Sequence, residues 1–235
     1  MPTTEREQTV GLAATVVLLR DGPDGPEVLL LERPRHRGSF AGAWVFPGGA
    51  VDPGDGAGEG AVDGEDPGVR RAAVRELREE AGLVLTPDSL VTLSCWVPPE
   101  GIPKRMRTWF YLARDPGGPL ALAADECVDA LWLRPQHALD RHTRGELRLV
   151  APTWVTLGGL VGAASVAEIL ANARRSTPER FESRAGVTEN GAAIFWTGDV
   201  AFTDDALAET DGARHRLEVG ALPWVYHRRG VGGAR

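Results

Sequence analysis

Three closely spaced glutamates are the residues of this chain whose types and spacing could do chemistry. Glu76, Glu79 and Glu80 lie at relative positions i, i+3 and i+4. On a helix with about 100° per residue these carboxylates share one face, and an apolar stripe faces the other way: Val74, Leu77 and Ala81. Like charges at this spacing repel each other, whereas Mg²⁺ or Mn²⁺ would bind to such oxygen ligands. The pattern indicates a divalent-cation site; the alternative is a solvated acidic face with neighbouring arginines as partners.

The glycine turn that precedes this helix favours the cation site. A strand over 43–46 runs into Pro47-Gly48-Gly49, a turn at which the backbone can approach a ligand closely. The helix has clear boundaries, because Asp66 can cap its first turn, Pro67 suits the first helical position and Gly82 suits the C-terminal turn. The sequence therefore predicts an acid-lined helix placed directly after a strand and a tight turn.

These residues carry a resemblance to a known family. Gly48-Gly49, Asp55 and Arg75-Glu76-Leu77-Arg78-Glu79-Glu80-Ala81-Gly82-Leu83 resemble the Nudix box, G-x5-E-x7-R-E-U-x-E-E-x-G-U, whose second half is matched at every fixed position. The first half departs from the box, because Asp55 stands where the family has glutamate and 19 residues, rather than seven, separate it from Arg75. The excess is an acidic insert at residues 56–68, and a surface loop tolerates such length at little entropic cost.

The resemblance implies metal-dependent hydrolysis of a nucleoside diphosphate linked to another group. It implies that Mg²⁺ or Mn²⁺ is held by Glu76, Glu79 and Glu80, with the Gly48 carbonyl as a further ligand, and that Arg75 orients the carboxylates. Such a cation would polarise the diphosphate and acidify water. The general base is left open between the box glutamates, with Glu79 and Glu80 leading, and acids of later loops: Asp125, Glu126 and Glu146.

Candidate substrate contacts lie on both sides of the box. Arg37 is one of several basic residues before the glycine turn that could contact phosphates, and Gly49 would bring backbone close to the substrate. Strand alternation would put Arg107, Trp109 and Tyr111 on one face, as a platform for a phosphate and a base. A basic sheet edge followed by a core strand explains the last pattern equally well.

Alternating strands and helices predict an α/β fold, and the resemblance implies an α/β/α sandwich with a mixed sheet and a C-terminal extension. We expect a disordered tail at 1–8, the Nudix domain at 9–150, and an extension at 151–235. The extension would begin with a buried helix near Thr153 and continue mostly as β or irregular structure. Further strands are predicted at 11–20, 27–32, 90–96, 108–113 and 130–134, with a helix at 135–140.

Charge and composition restrict the kinds of partner that the protein can bind. The chain of 235 residues has a net charge of −7 and a pI near 5.3, which argues against binding to nucleic acid or an anionic membrane. The uncharged stretch 149–167 has a GxxxG spacing, but Pro152 and several polar residues favour a buried helix over a membrane span. Its glycines would allow close packing on the sheet or in a homodimer. No signal peptide is visible and the two cysteines are far apart, so we expect free thiols and a cytoplasmic protein.

Two other functions are compatible with the same fold. One is a catalytically silent Nudix-fold module that binds a ligand or regulates another protein; the intact set of three glutamates favours the enzyme over it. The other is an isomerase, which would need a catalytic cysteine facing the acids, and nothing marks Cys95 or Cys127 for that role. The substrate is left open among coenzyme A derivatives, ADP-ribose, dinucleotides and nucleotide sugars. Coenzyme A derivatives lead, because the box insertion and residues 107–111 weakly resemble the coenzyme A diphosphatase-like branch.

Overall fold

A computed structural model describes residues 10–36, 40–56 and 65–231. The predicted tail at 1–8, Arg37 and most of the acidic insert lie outside these residues. The described residues form a mixed sheet with four α-helices. Its strands are β1 Gly11–Gly22, β2 Gly25–Glu32, β3 Trp44–Val45, β4 Gly48–Ala50, β5 Val91–Val97, β6 Met106–Arg114, β7 Asp129–Leu133, β8 Glu179–Thr188, β9 Gly191–Trp196, β10 Arg214–Glu218 and β11 Val225–Arg229. The helices are α1 Pro67–Ala81, α2 Pro135–Thr143, α3 Ala151–Leu160 and α4 Val166–Arg175.

The strands form one sheet in the order β11-β10-β9-β8-β5-β6-β1-β2-β3, with β4 paired to β1 and β7 paired to β2. Two neighbouring pairs, β1 with β6 and β5 with β8, are parallel, and the other pairs are antiparallel. Helix α1 covers one face of the sheet, and α2, α3 and α4 pack on the other. The predicted α/β/α sandwich with a mixed sheet is therefore confirmed.

Alternation along the central strands decides which side chains face α1. On β1, Ala14, Val16 and Leu18 pack under α1, whereas Val17 and Leu19 point into the opposite core. On β6, Tyr111 and Ala113 face α1, and Phe110 and Leu112 face away. Both faces are apolar because the sheet is covered on both sides. The face under α1 is the one on which the candidate site lies.

Helix α1 begins and ends where its sequence predicts. The Asp66 carboxylate accepts a hydrogen bond of 2.7 Å from the Gly68 N–H, and Pro67 occupies the first helical position. Gly82 ends the helix with φ at +73°, a left-handed conformation that glycine adopts without strain. Its buried side chains, among them Val69, Ala73 and Leu77, pack on the sheet and fix the rotation of the helix.

The uncharged stretch after residue 149 contains the predicted buried helix near Thr153, and that helix is short. It is α3, which begins at Ala151 and buries Thr153 and Val155, and Gly162, with φ at +85°, separates it from α4, whose first turn is capped by Ser165. Gly158 and Gly159 are exposed, so they do not pack on the sheet as one alternative predicted, and packing of these glycines in a homodimer stays a prediction. Within the part of the chain that the structure describes, no helix is both long and apolar enough to cross a membrane.

The C-terminal strands continue the sheet instead of packing on it as a separate layer. β8 pairs in parallel with β5, in register from Ser94↔Glu179 to Val97↔Glu182, and β9 to β11 follow as an antiparallel meander. A buried bidentate ion pair anchors the meander: Arg216 donates to both Asp199 oxygens at 2.8 and 2.7 Å. The extension is thus an integral edge of the sheet.

Candidate active site

The turn between β3 and β4 requires glycine at both of its positions. A Cβ on Gly48 would lie 2.2 Å from the Ala14 carbonyl oxygen on β1. A Cβ on Gly49 would lie 2.4 Å from the carboxylate of Glu76 on α1. The two glycines therefore let β4 lie tightly against β1 and leave room for an α1 carboxylate above it.

Three carboxylates converge above this turn. Oxygens of Glu76, Glu80 and Glu126 all lie within 4.8 Å of one another. Two of the residues are one helical turn apart on α1, and the third comes from the loop before β7. That loop is attached to the end of α1 by hydrogen bonds from Ala121 N–H to the Ala81 carbonyl (2.9 Å) and from Ala123 N–H to the Glu80 carbonyl (3.2 Å). The loop thereby brings Glu126 to the helix.

Glu80 is the most buried member of this carboxylate trio, with 2% of its surface exposed. Its Oε1 accepts a hydrogen bond of 2.5 Å from Arg33 Nη1, and its Oε2 accepts one of 2.9 Å from the Gly48 N–H. Burial raises the pKa of Glu80 to about 7, although the Gly48 N–H and the Arg33 charge both act to lower it. The neighbouring carboxylates Glu76 and Glu126 raise it further. Ionised Glu80 is therefore under-compensated by the protein's own groups.

The Glu76 carboxylate, like that of Glu80, is mostly shielded from solvent and has a raised pKa. Only 12% of its side chain is exposed, and burial raises its pKa against the opposing effect of Arg75. The Glu126 side chain has no hydrogen bond or ion pair to the described residues, so its carboxylate is available to a ligand. Three hard oxygen donors with too little positive charge beside them match what Mg²⁺ or Mn²⁺ binds. The residues present fit a divalent cation.

Arg75 links the helix to the loop that follows β4. Its Nε and Nη2 donate to the two oxygens of Asp55 at 3.1 and 2.9 Å, and its Nη1 donates to Glu76 and Glu79 at 2.9 Å each. Asp55 is 6% exposed, and although burial raises its pKa, the hydrogen bonds from Arg75 and from the Asp52 N–H outweigh burial and lower it. These acceptors in turn raise the pKa of Arg75. The long insert thus leaves Asp55 in contact with the box arginine.

The structure brings some of the predicted site residues together and leaves others apart. Glu76, Glu80 and Glu126 converge, with Gly48 and Gly49 beneath them. Glu79 stays outside the trio, with 53% of its side chain exposed and its carboxylate on Arg75. Gly48 contacts Glu80 through its N–H, a contact that the sequence does not predict. Glu146 pairs with Arg144 and Arg141 on the loop after α2.

Arg33 is a functional contact that sequence reasoning missed. It stands directly after β2, among the basic residues before the glycine turn that the sequence offers as phosphate contacts, but its guanidinium binds Glu80. The pairing joins residues 47 positions apart, and a run of arginines before the turn gives no indication of which one does so.

The three residues of the predicted platform on β6 share one face, as strand alternation predicts, but only two of them are accessible. Arg107, Trp109 and Tyr111 do face the α1 side, since Leu112 and Phe110 fill the opposite core. Tyr111 is fully buried under α1, with the Arg70 guanidinium 5.2 Å from its ring centroid, so it cannot stack on a substrate. Arg107 and Trp109 remain partly exposed at the start of the strand.

Comparison with known proteins finds a family model and solved structures that resemble this chain. A family model described as the NUDIX domain matches residues 10–153. A solved Nudix hydrolase from Alicyclobacillus acidocaldarius is 27% identical, over 69% of this chain and 96% of that one, with a TM-score of 0.61. A MutT Nudix hydrolase from Burkholderia pseudomallei is 25% identical over 66% of this chain and 99% of that one, with a TM-score of 0.46. The family match ends before α4 and strands β8 to β11.

Proposed function

The chain belongs to the Nudix hydrolase family, and on that premise we propose that it hydrolyses the diphosphate linkage of a nucleoside diphosphate joined to another group. One observation carries the proposal. The buried carboxylate of Glu80 and the partly buried carboxylate of Glu76 meet Glu126 within 4.8 Å, directly above the glycine turn. A repulsive cluster of this kind costs stability unless a cation compensates it.

The trio is the cation site in this proposal. Glu76, Glu80 and Glu126 would hold Mg²⁺ or Mn²⁺, with Gly48 shaping the turn beside them. When bound, the cation withdraws electron density from the phosphoryl oxygens and compensates the charge that the diphosphate brings. Arg33 and Gly48 hold Glu80 through both of its oxygens, and Arg75 holds Glu76, so the carboxylates are positioned before substrate arrives.

The chain's own residues also supply the proton acceptor. Water attacks one phosphorus, its proton passes to a carboxylate, and the bond from that phosphorus to the bridging oxygen breaks, which leaves two phosphorylated products. We assign the acceptor role to the second oxygen of Glu126, the one not offered to the cation, because the Glu126 side chain is the member of the trio without a partner among the described residues. Gly49, which leaves the α1 carboxylate uncovered, allows the diphosphate to approach the backbone.

Glu79 is the second candidate for the proton acceptor, and its contact with Arg75 supports a different role for it. A carboxylate that is 53% exposed and held by Arg75 can keep the guanidinium in place without touching the reacting atoms. Glu126→Gln should then reduce kcat by about 100-fold or more, and Glu79→Gln by much less. The reverse order of the two losses would transfer the acceptor role to Glu79.

The substrate classes compatible with the proposal are coenzyme A derivatives, ADP-ribose, dinucleotides and nucleotide sugars. A panel of these compounds, assayed for products with Mg²⁺, with Mn²⁺ and with a chelator, tests the function directly. We expect turnover of at least one class that requires the cation and is lost in Glu80→Gln. Binding of a diphosphate without turnover of any class would instead support the catalytically silent module.

A further inference from the structure

One row of residues crosses five strands from the carboxylate trio into the C-terminal extension. The strand registers pair Gly49 with Ala14, Ala14 with Trp109, Trp109 with Cys95, and Cys95 with Arg180. The row starts at β4, where Gly49 lies against Glu76, and ends on β8, which lies beyond the family match. At about 4.8 Å per strand, Arg180 is about 19 Å along the sheet from Gly49 and about 10 Å from Trp109.

Two residues of this row, Cys95 and Arg180, point to the side of the sheet that α1 covers, and so does Arg107, two residues before Trp109 on β6. Phe181 and Trp96 fill the opposite core, so Arg180 and Cys95 face the other way, as Arg107 does. Arg107 and Arg180 both lie close enough to the buried Cys95 thiol to lower its pKa against the effect of burial, which raises it. Arg107 on β6 and Arg180 on β8, which we call the arginine pair, therefore lie on the same face of the sheet, on either side of β5.

The arginine pair has unused capacity to bind an anion. The Nε of Arg107 is buried and has no hydrogen-bond partner among the described residues. A buried donor of this kind normally has an acceptor. The Arg180 side chain is 45% exposed, and among the described residues it forms an ion pair with Glu182, whose side chain is itself 47% exposed. An exposed pair of this kind contributes little to stability and can be exchanged for a ligand.

We propose that the arginine pair binds a phosphomonoester on the nucleoside of the substrate, in addition to the diphosphate at the carboxylate trio. The inference rests on the proposed function. Trp109 lies in this row between the trio and Arg180, two residues from Arg107 on β6, and is partly exposed, so it offers an aromatic surface where the nucleoside would lie. Arginine suits the far end because its fork matches phosphate oxygens. The extension thus contributes a specificity-determining residue, Arg180.

Binding of mononucleotides tests this without any turnover. The probes are AMP, adenosine 2′,5′-bisphosphate and adenosine 3′,5′-bisphosphate, titrated calorimetrically into the full chain with Mg²⁺ at low salt. None contains a diphosphate linkage, so the result does not depend on hydrolysis. We expect one bisphosphate to bind at least about tenfold more tightly than AMP, which fits a charge-assisted contact, and the better of the two identifies the position of the phosphate.

Variants separate the pair from general charge effects. Arg180→Gln should reduce the advantage of the bisphosphate to about threefold or less, and Glu182→Gln should increase it. Arg174→Gln removes the same charge from α4, on the opposite side of the sheet, and should leave the advantage unchanged. Because Arg180 is exposed, its variant should fold, which circular dichroism can verify.

Two results would overturn the inference. One is a bisphosphate that binds no more tightly than AMP to the wild-type chain, including the case in which neither binds. The other is an advantage that survives in Arg180→Gln. Both can occur while the diphosphate panel shows full activity, and the expected binding can be found even if that panel shows none. The two proposals therefore fail separately.

Discussion

The pH dependence of the metal-free protein gives a quantitative test of the burial of Glu80. Burial raises the pKa of this carboxyl from its ordinary 4.5 to about 7. A carboxyl with a higher pKa in the folded than in the unfolded chain binds its proton more tightly when folded. Its contribution to stability is therefore complete below about pH 4.5 and is lost as the pH rises through 7.

The size of the loss follows from the two pKa values. At 1.36 kcal/mol per pKa unit, the difference corresponds to about 3 kcal/mol, most of it lost between pH 5 and pH 8. His142 and His215 titrate in an overlapping range with the opposite sign. Burial lowers the pKa of both, so their contribution is present above pH 6.5 and is lost as the pH falls. Only a comparison between variants isolates Glu80.

The assay is urea unfolding of the wild-type chain and Glu80→Gln in a chelator, at several pH values from 5 to 8. The free energy of unfolding of the wild type should fall relative to that of the variant by about 2–3 kcal/mol over this range. Saturating Mg²⁺ should remove most of the fall in the wild type, because a cation stabilises the ionised carboxylate. Parallel curves for the two proteins in chelator would refute the assignment of a buried, under-compensated Glu80.

Three further substitutions test the positioning of the site. Gly49→Ala should reduce kcat/KM severely, because the added Cβ would lie 2.4 Å from the Glu76 carboxylate. Gly54→Ala, where the added Cβ meets open space, should have the kcat/KM of the wild type, and equal effects of the two substitutions would contradict the packing at Gly49. Asp55→Ala should lower the free energy of unfolding, measured in urea, by about 2–4 kcal/mol, because it leaves Arg75 without its bidentate partner. A loss under about 0.5 kcal/mol would show that Asp55 does not anchor Arg75. Glu126→Gln should weaken Mn²⁺ binding at least about tenfold in a calorimetric titration, whereas Asp129→Asn, at an exposed neighbouring residue, should not. Similar Mn²⁺ affinities of the Glu126→Gln and Asp129→Asn proteins would exclude Glu126 from the cation site.

The acidic helix could be predicted closely because its signals are local. The ends of the helix are marked by Asp66, Pro67 and Gly82, and the apolar stripe sets which face of the helix packs on the sheet. The same periodicity puts Glu79 on the face of Glu76 and Glu80, but it also puts Arg75 one turn before Glu79, and the structure shows that this arginine holds the Glu79 carboxylate at 2.9 Å. Helical spacing alone therefore predicts two of the three converging carboxylates.

The remaining parts of the site depend on contacts between distant residues. Glu126 reaches the trio because a loop is attached to the end of α1, and Arg33 reaches Glu80 from 47 positions away. The pairing of β8 with β5 joins Ser94 to Glu179, and no turn signal marks a parallel pairing across such a distance. Such contacts form only when distant segments of the chain come together in the fold, and no local sequence pattern indicates them.

Anomalous diffraction from a crystal soaked in Mn²⁺ tests the central claim most directly. We predict one strong anomalous peak bounded by carboxylate oxygens of Glu76, Glu80 and Glu126, and its loss in crystals of Glu80→Gln. A peak at other residues, or no peak at these three carboxylates in a protein that hydrolyses diphosphates with Mn²⁺, would contradict the account.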